Sequence, residues 1–403
     1  MTVTITAGKA IGTVTAPPSK SVAHRALICG ALTEKSTVKN IAMSKDIEAT
    51  LSCLKSLGAN AEFVSKDEIV IGGLDLDNIP DDAILNCNES GSTLRFLIPI
   101  ALLCGKKTTF KGARRLMSRP LTVYEEIADK NGFLFQKSDD SLTVCGKLTA
   151  GCYEVAGDIS SQFITGLLLA LSVVEGESQI KLTSGLESAS YVDITLGVMS
   201  QFGVDVKWED NTFNIVGKPF ENREYLVEGD CSNAAFLDAF NLLGGEVTVS
   251  GLNSDTLQGD RVYKEFFCDL KNGKKEFDLT DCPDLAPIMF AMSSVFGGAS
   301  FYGTKRLAIK ESDRAAAMAE ELRKFGVKTK IHENSVEIFS GELKRPTEIL
   351  SGHNDHRIVM SLVTLCTLTG GSISGAEAVA KSFPDYFNKI KSLGIGIKEN
   401  EAQ

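Results

Sequence analysis

The chain has 403 residues, 43% of them hydrophobic and 23% charged, with a formal net charge of −10. That balance is globular and too long for one ordinary core, and the negative charge argues against nucleic-acid or anionic-membrane binding. The richest apolar stretch, Phe163 to Val174, is too short to span a membrane, and the N-terminus lacks the basic and apolar regions of a signal peptide, so a cytoplasmic protein is expected.

In chain order, one block recurs six times: a short strand, a polar turn, an apolar helix, Gly-rich residues and a return strand. The first turn, Pro18-Ser19-Lys20-Ser21, opens a helix at about Val22 and returns over Ser36 to Ile41. An amphipathic helix, Asp46 to Leu57, and a hairpin within Ala61 to Ile71 follow. The second turn, Glu89-Ser90-Gly91-Ser92, opens a helix at Thr93 and returns over Lys106 to Lys111. The third, Asp158-Ile159-Ser160-Ser161, leads to a helix at Gln162, a strand over Ser178 to Thr183, a helix over Val192 to Phe202 and a hairpin within Val204 to Val216. The fourth, Asp230-Cys231-Ser232-Asn233, opens a helix at Ala234 and returns over Glu246 to Ser250. There the helix near Tyr263 to Leu270 runs almost directly into Phe277 to Leu279, so a hairpin is missing. The fifth, Cys282-Pro283-Asp284, precedes a helix at Leu285 and a strand over Ala299 to Tyr302. The sixth, Asn354-Asp355-His356-Arg357, precedes a helix at Ile358 and a strand over Gly371 to Ser374. Successive turns lie roughly 70 residues apart, apart from a shorter fourth step. Blocks of βαβ type close compact domains rather than stack passively, which predicts an α/β protein of two domains.

The ten cysteines are scattered without a Cys-x-x-Cys pair, as free thiols in a reducing compartment are. Four histidines without a His-x-x-x-His pair give no catalytic metal site, and no Gly-x-x-x-x-Gly-Lys-Ser/Thr loop supports nucleotide use. Neither a metal nor another cofactor is expected.

Chemistry gathers at the helix starts. Their unpaired N–H groups and positive dipole ends favour anions, whereas Ser, Asp and Asn there also serve as ordinary caps. Ser232 and Asn233 fit capping equally well. Cations at a helix start oppose the dipole and imply an anion. Lys20 and Arg25 stand so at the first turn, Arg95 at the second and Arg357 at the sixth. Arg114, Arg115 and Arg119 form another basic group in an acidic chain. Lys310-Glu311-Ser312-Asp313-Arg314 opens a helix that continues as Ala315 to Phe325, with Ser312 or Asp313 a possible cap. Lys381 stands just before a proline-containing helix start.

At these residues the chain resembles the 5-enolpyruvylshikimate-3-phosphate synthase family, from Pro17 to about Leu393. Pro-Ser-Lys-Ser with Arg25, Gly-Ser-Thr-Leu-Arg at Gly91 to Arg95, Arg119-Pro120 and Ser160-Ser161-Gln162 carry the resemblance through the first half. Tyr191-Val-Asp-Ile-Thr, Val227-Glu-Gly-Asp230, Pro283-Asp284, Lys310 to Arg314, Asn354 to Arg357 and Lys381-Ser-Phe-Pro-Asp385 follow in order. The resemblance implies an inside-out α/β barrel fold in two domains, each of three βαβαββ-like units. They would comprise residues 20–227, and residues 1–19 with 228–403, with the active site in the cleft between them.

It also implies transfer of the enolpyruvyl group of phosphoenolpyruvate to the 5-hydroxyl of shikimate 3-phosphate, releasing phosphate on the route to chorismate and the aromatic amino acids. By position, shikimate 3-phosphate would be held by Lys20, Ser21, Arg25, Ser160, Ser161, Gln162, Ser188, Tyr191, Asp284 and Lys310. Phosphoenolpyruvate would be held by Lys20, Gly91, Arg119, Gln162, Arg314, Arg357 and Lys381. Lys20, Asp284 and Glu311 would share the acid and base work, with Asp284 serving the hydroxyl. A monomer acting on small molecules is expected.

Three positions depart from the family's usual residues. Glu89 stands where Asn is common and adds a carboxylate beside an anion site. Arg306, also in place of Asn, would offer a donor near the shikimate phosphate. Phe96, where Pro is frequent, would set its helix start differently. Gly91 implies room for glyphosate. The related transferase acting on UDP-N-acetylglucosamine usually carries a cysteine in the loop corresponding to Lys106 to Pro120, and this loop has none. A non-catalytic relative would have lost acid and base residues, whereas Lys20, Asp284 and Glu311 are present.

Overall fold

Five of the six expected helix starts are closed by the side chain that precedes them. In the computed structural model, which describes residues 1–400, Ser19, Ser90, Ser160, Asp230 and Asp355 each accept a backbone N–H of the first turn. The helices that follow are Lys20–Ala31, Gly91–Ala101, Ser161–Leu171, Cys231–Leu242 and His356–Thr369. The remaining start uses proline instead: a 3₁₀ turn, Pro283–Leu285, leads into the helix Ala286–Val295. Phe96 does not alter its helix start, because Ser90 sets it and Phe96 lies on the buried face one turn in.

These six helices are buried on nearly all sides, as in Val22 to Ala31 and Phe163 to Leu171. A helix apolar all round belongs at the centre of a domain. Central strands such as Glu177–Leu182 and Ser141–Cys145 alternate buried positions with exposed or half-buried ones, so their sheets turn one face to the helices and the other outward. Helices inside and sheets outside make the arrangement inside-out.

The chain divides into two compact units, residues 18–228 and residues 1–17 with 229–403. Each has its own apolar core. Within 18–228 each repeat makes a four-stranded sheet of one design. In the second repeat Ala83–Asn86 pairs parallel with Thr108–Lys111, which pairs antiparallel with Ser141–Cys145, and Leu134–Lys137 closes the edge. The third repeat copies this with Cys152–Val155, Glu177–Leu182, Thr212–Val216 and Lys207–Glu209.

The repeats that begin each half exchange their first strands. Ile11–Thr15 precedes the helix Lys20–Ala31 in sequence yet pairs parallel with Glu246–Ser250. Glu224–Leu226 precedes the helix Cys231–Leu242 yet pairs parallel with Ser36–Lys39. The N-terminal strand Thr2–Ile5 completes the sixth repeat, antiparallel to both Gly371–Ser374 and Ile397–Asn400. The fourth repeat has the expected gap: its sheet is the two strands Ile11–Thr15 and Glu246–Ser250, and the helix Tyr263–Lys271 leads straight to Glu276–Asp278.

All ten cysteines are free; Cys29 and Cys366 are buried and Cys104 is half-buried. No helix among the described residues is long and apolar enough to cross a membrane.

Gly166 shows how closely the central helices pack. A Cβ there would meet Tyr124 Oη at 2.4 Å and the Arg95 carbonyl oxygen at 2.5 Å. Tyr124 donates to that same carbonyl at 2.7 Å, so nothing there can yield cheaply. Gly166→Ala is therefore expected to destabilise the protein by about 1–3 kcal/mol through overpacking. A thermal unfolding midpoint equal to that of the parent chain would contradict this packing.

Candidate active site

In residues 18–228 most of the expected site residues lie at or near the starts of the three central helices, with Arg119, Ser188 and Tyr191 on other segments. Lys20 leads the helix Lys20–Ala31, and its Nζ lies 2.7 Å from Asp46 Oδ2, both side chains largely covered. Arg25, one turn on, is 2% exposed. Its Nε donates to Thr195 Oγ1 at 2.7 Å, Nη1 to the Ser21 carbonyl at 2.7 Å, and Nη2 to the Tyr191 carbonyl at 2.9 Å. The guanidinium also sits over the Phe96 ring, 5.1 Å from its centroid. Among the described residues no carboxylate pairs with it, and burial lowers its pKa to about 10. A buried cation held by neutral oxygens retains its attraction for an anion.

The second and third helix starts are joined through Gln162. Its Oε1 accepts from Arg95 Nη1 at 2.7 Å, and its Nε2 donates to Ser92 Oγ at 3.0 Å. Ser160 caps its helix through the N–H of Gln162, and Ser161 is buried beside it. Gly91, the first residue of its helix, lies against a second guanidinium. A Cβ there would come within 2.6 Å of Arg119 Nη1 and 3.4 Å of Arg95 Nη1. Ser188 is buried in a left-handed backbone conformation (φ 57°), and its carbonyl accepts the Tyr191 N–H at 3.1 Å. Glu89 is half-buried next to the cap Ser90.

The second group, in residues 229–400, centres on Arg314, which is 1% exposed. Its Nε donates to Asp355 at 2.9 Å, Nη1 to Asp284 at 2.8 Å and Nη2 to Glu311 at 2.8 Å. Asp284 also accepts from Arg357 Nη2 at 2.7 Å, and Lys310 Nζ lies 3.5 Å away. Burial works against its ionisation, but Arg357, Lys310 and Arg314 hold the carboxyl well below the usual range. Asp355 caps the helix His356–Thr369 and also accepts from Ser312 Oγ at 3.1 Å. Asp313 caps the helix Arg314–Lys324, so of the two candidate caps Ser312 is the one turned to Asp355. Ser232, in the first turn of its helix, is not the cap, a role Asp230 fills; its hydroxyl accepts from Arg357 Nη2 at 2.9 Å. Lys381 is buried with its Nζ on the Asn354 carbonyl. Arg306 is buried and donates to the Thr280 carbonyl at 2.7 Å.

The structure thus brings Lys20, Ser21, Arg25, Gly91, Arg119, Ser160, Ser161, Gln162, Ser188 and Tyr191 into one unit. Asp284, Lys310, Glu311, Arg314, Arg357 and Lys381 fall in the other. Sequence reasoning missed Asp46, Thr165 and Thr195, whose roles arise only from long-range approach. Asp46 in particular reads as an ordinary first-turn acid of the helix Lys45–Ser56.

The sequence model of the family described as EPSP synthase (3-phosphoshikimate 1-carboxyvinyltransferase) matches residues 5–390. The chain belongs to that family. A 3-phosphoshikimate 1-carboxyvinyltransferase of Clostridium kluyveri is 39% identical, with 98% of each chain covered. Among solved structures, an EPSP synthase from Acinetobacter baumannii superposes with a TM-score of 0.78 at 22% identity, covering 99% of this chain and 100% of that one. The enolpyruvyl transferase NikO from Streptomyces tendae has a TM-score of 0.75 at 14% identity, covering 100% of this chain and 99% of that one. At such identities these two establish the fold alone.

Lys310 supplies a pH test of this candidate site. Burial lowers its pKa to about 8, with Asp284 opposing and Arg314 adding to the shift. Its positive charge is therefore present below about pH 8 and lost as pH rises through that value. If it binds an anion, kcat/KM falls along a limb near pH 8, and Lys310→Arg, which stays charged, removes that limb. An identical limb in Lys310→Arg would contradict the assignment.

Proposed function

We propose that the two groups of residues act on one pair of substrates, and that together they carry the carboxyvinyl transfer of the family. The enzyme transfers the enolpyruvyl group of phosphoenolpyruvate to the 5-hydroxyl of shikimate 3-phosphate in the shikimate pathway. In this reading Lys20, Ser21, Arg25, Ser160, Ser161, Gln162, Ser188, Tyr191, Asp284 and Lys310 receive shikimate 3-phosphate. Lys20, Gly91, Arg119, Gln162, Arg314, Arg357 and Lys381 receive phosphoenolpyruvate. The observation that carries it is Asp284, a carboxylate ringed by Lys310, Arg314 and Arg357.

The substrate hydroxyl oxygen bonds to C2 of phosphoenolpyruvate, giving up its proton, while C3 gains one. The tetrahedral intermediate then breaks its C2–O bond to phosphate, and loss of a C3 proton restores the methylene. Asp284 takes the hydroxyl proton, and Glu311 and Lys20 exchange the proton at C3. With three cations upon it, Asp284 is a weak base. Substrate phosphate and carboxylate groups compete for those same cations, and as they do so the basicity of Asp284 rises. Clustered cations then stabilise the charge of the intermediate.

A monomer in the cytoplasm belongs to the same proposal. Its supports are a separate apolar core in each unit and ten free thiols, as a reducing compartment keeps them.

Asp284→Ala is expected to lower kcat by roughly two to four orders of magnitude without weakening phosphoenolpyruvate affinity, since a competitor for its cations is removed, as measured by phosphate release and by equilibrium binding. Near-normal turnover would sink the assignment. The Arg119 guanidinium, which a Cβ at Gly91 would meet, gives a second test. Gly91→Ala is expected to displace that guanidinium, weaken phosphoenolpyruvate binding several-fold and relieve inhibition by glyphosate. Equal sensitivity of the two proteins to glyphosate would contradict this placement.

A further inference from the structure

The segment from Ser351 to Arg357 carries Asp355 and Arg357 and presents the Asn354 carbonyl to Lys381. It takes this course through two consecutive left-handed residues, His353 (φ 47°) and Asn354 (φ 52°). Neither is glycine, so neighbouring structure must hold the conformation. The helix Arg314–Lys324 grips the segment at two places two turns apart on one face. At one place, Arg314 donates to Asp355. At the other, the fully buried Glu321 accepts the Ser351 N–H at 3.0 Å and faces His353 Nε2 at 2.9 Å.

The first grip belongs to the site already described, and the second has no part in it. We propose that Glu321 and His353 are positioning residues for phosphoenolpyruvate binding, holding the left-handed bend that sets Arg357 and the Asn354 carbonyl that seats Lys381. This rests on the assignment of Arg357 and Lys381 to that substrate.

Glu321 is suited to the task because its carboxylate is fixed from three sides. Lys324 Nζ donates to both of its oxygens, at 2.9 and 3.0 Å, while Ser351 and His353 complete the set. Glu320, His353 and Glu321 also form a group of the kind that can hold a metal ion. Lys324 on both Glu321 oxygens makes it a cation-saturated brace instead. A carboxylate only accepts, so His353 Nε2 carries the proton between them. The charged groups facing His353 are Glu321, Glu320 at 3.9 Å and Lys324, and the two acids outweigh the lysine. The Glu321 hydrogen bond raises the His353 pKa above its ordinary value. The charge-assisted brace is therefore complete at low pH and weakens as pH rises through the raised pKa.

The experiment compares His353→Ala, His353→Gln and Glu321→Gln with the parent chain in steady-state assays from pH 6 to 9. His353→Ala and Glu321→Gln are expected to raise the KM for phosphoenolpyruvate roughly tenfold, with the KM for shikimate 3-phosphate changed far less. His353→Gln, which keeps a donor without a titrating group, recovers most of the loss. It is also expected to flatten the rise of phosphoenolpyruvate KM with pH predicted for the parent below the Lys310 limb. Unchanged phosphoenolpyruvate KM in His353→Ala, or an unaltered pH profile in His353→Gln, overturns the proposal. Equal increases in both KM values would mark a merely structural role and overturn it too. Arg357→Ala separates the two layers. A raised phosphoenolpyruvate KM there with none in His353→Ala refutes the brace alone, and no change in Arg357→Ala refutes the site assignment beneath it.

Discussion

Positive charge buried at the starts of helices is the constraint on which the rest of this structure depends. A guanidinium taken out of water must be given partners, and the helix dipole at an N-terminus makes its position worse. The protein solves this in two ways. Arg314 is matched by three carboxylates, Asp284, Glu311 and Asp355, brought from three separate segments of chain. Arg25 is held by hydroxyl and carbonyl oxygens and an aromatic face. The first solution knits the fifth and sixth helix starts into one network. The second leaves a cation whose neighbours carry no charge to oppose it.

These two solutions have different consequences for binding. An anion approaching Arg25 displaces no carboxylate. An anion approaching Arg314, Arg357 or Lys310 must compete with Asp284, and whatever it gains returns to Asp284 as basicity. If Asp284 is the base, as proposed, binding and its activation become the same event, which would disfavour proton abstraction before the substrates are in place. Caps explain how such charges are tolerated. Asp355 serves Arg314, Ser312 and the Arg357 N–H together, so one carboxylate caps a helix start and compensates a buried cation.

Much of this was legible in the sequence, for definite reasons. The six helix starts could be read because a capping Ser or Asp precedes an apolar run, and the missing hairpin of the fourth repeat because the spacing shortens there. Lys20, Arg25, Arg95 and Arg357 stood out because cations are unwelcome at a helix start. What could not be read is pairing over distance. Nothing in the residues of Ile11–Thr15 themselves announces that their partner is Glu246–Ser250 rather than Ser36–Lys39; only the resemblance placed residues 1–19 with 228–403. Asp46 looked like an ordinary first-turn acid until Lys20 was seen upon it. Phe96 was expected to shift its helix start and does not, because a cap outweighs a residue one turn inside. His353 and Glu321 carried no local signal at all, as their meeting depends on a left-handed bend that the sequence Gly352-His353-Asn354 does not require.

The most direct measurement is phosphate release from phosphoenolpyruvate by the purified chain, with shikimate 3-phosphate and UDP-N-acetylglucosamine offered separately. Release with shikimate 3-phosphate, and none with the sugar nucleotide, is the predicted result. Release with neither, or only with the sugar nucleotide, would contradict the reading that these buried cations hold shikimate 3-phosphate and phosphoenolpyruvate.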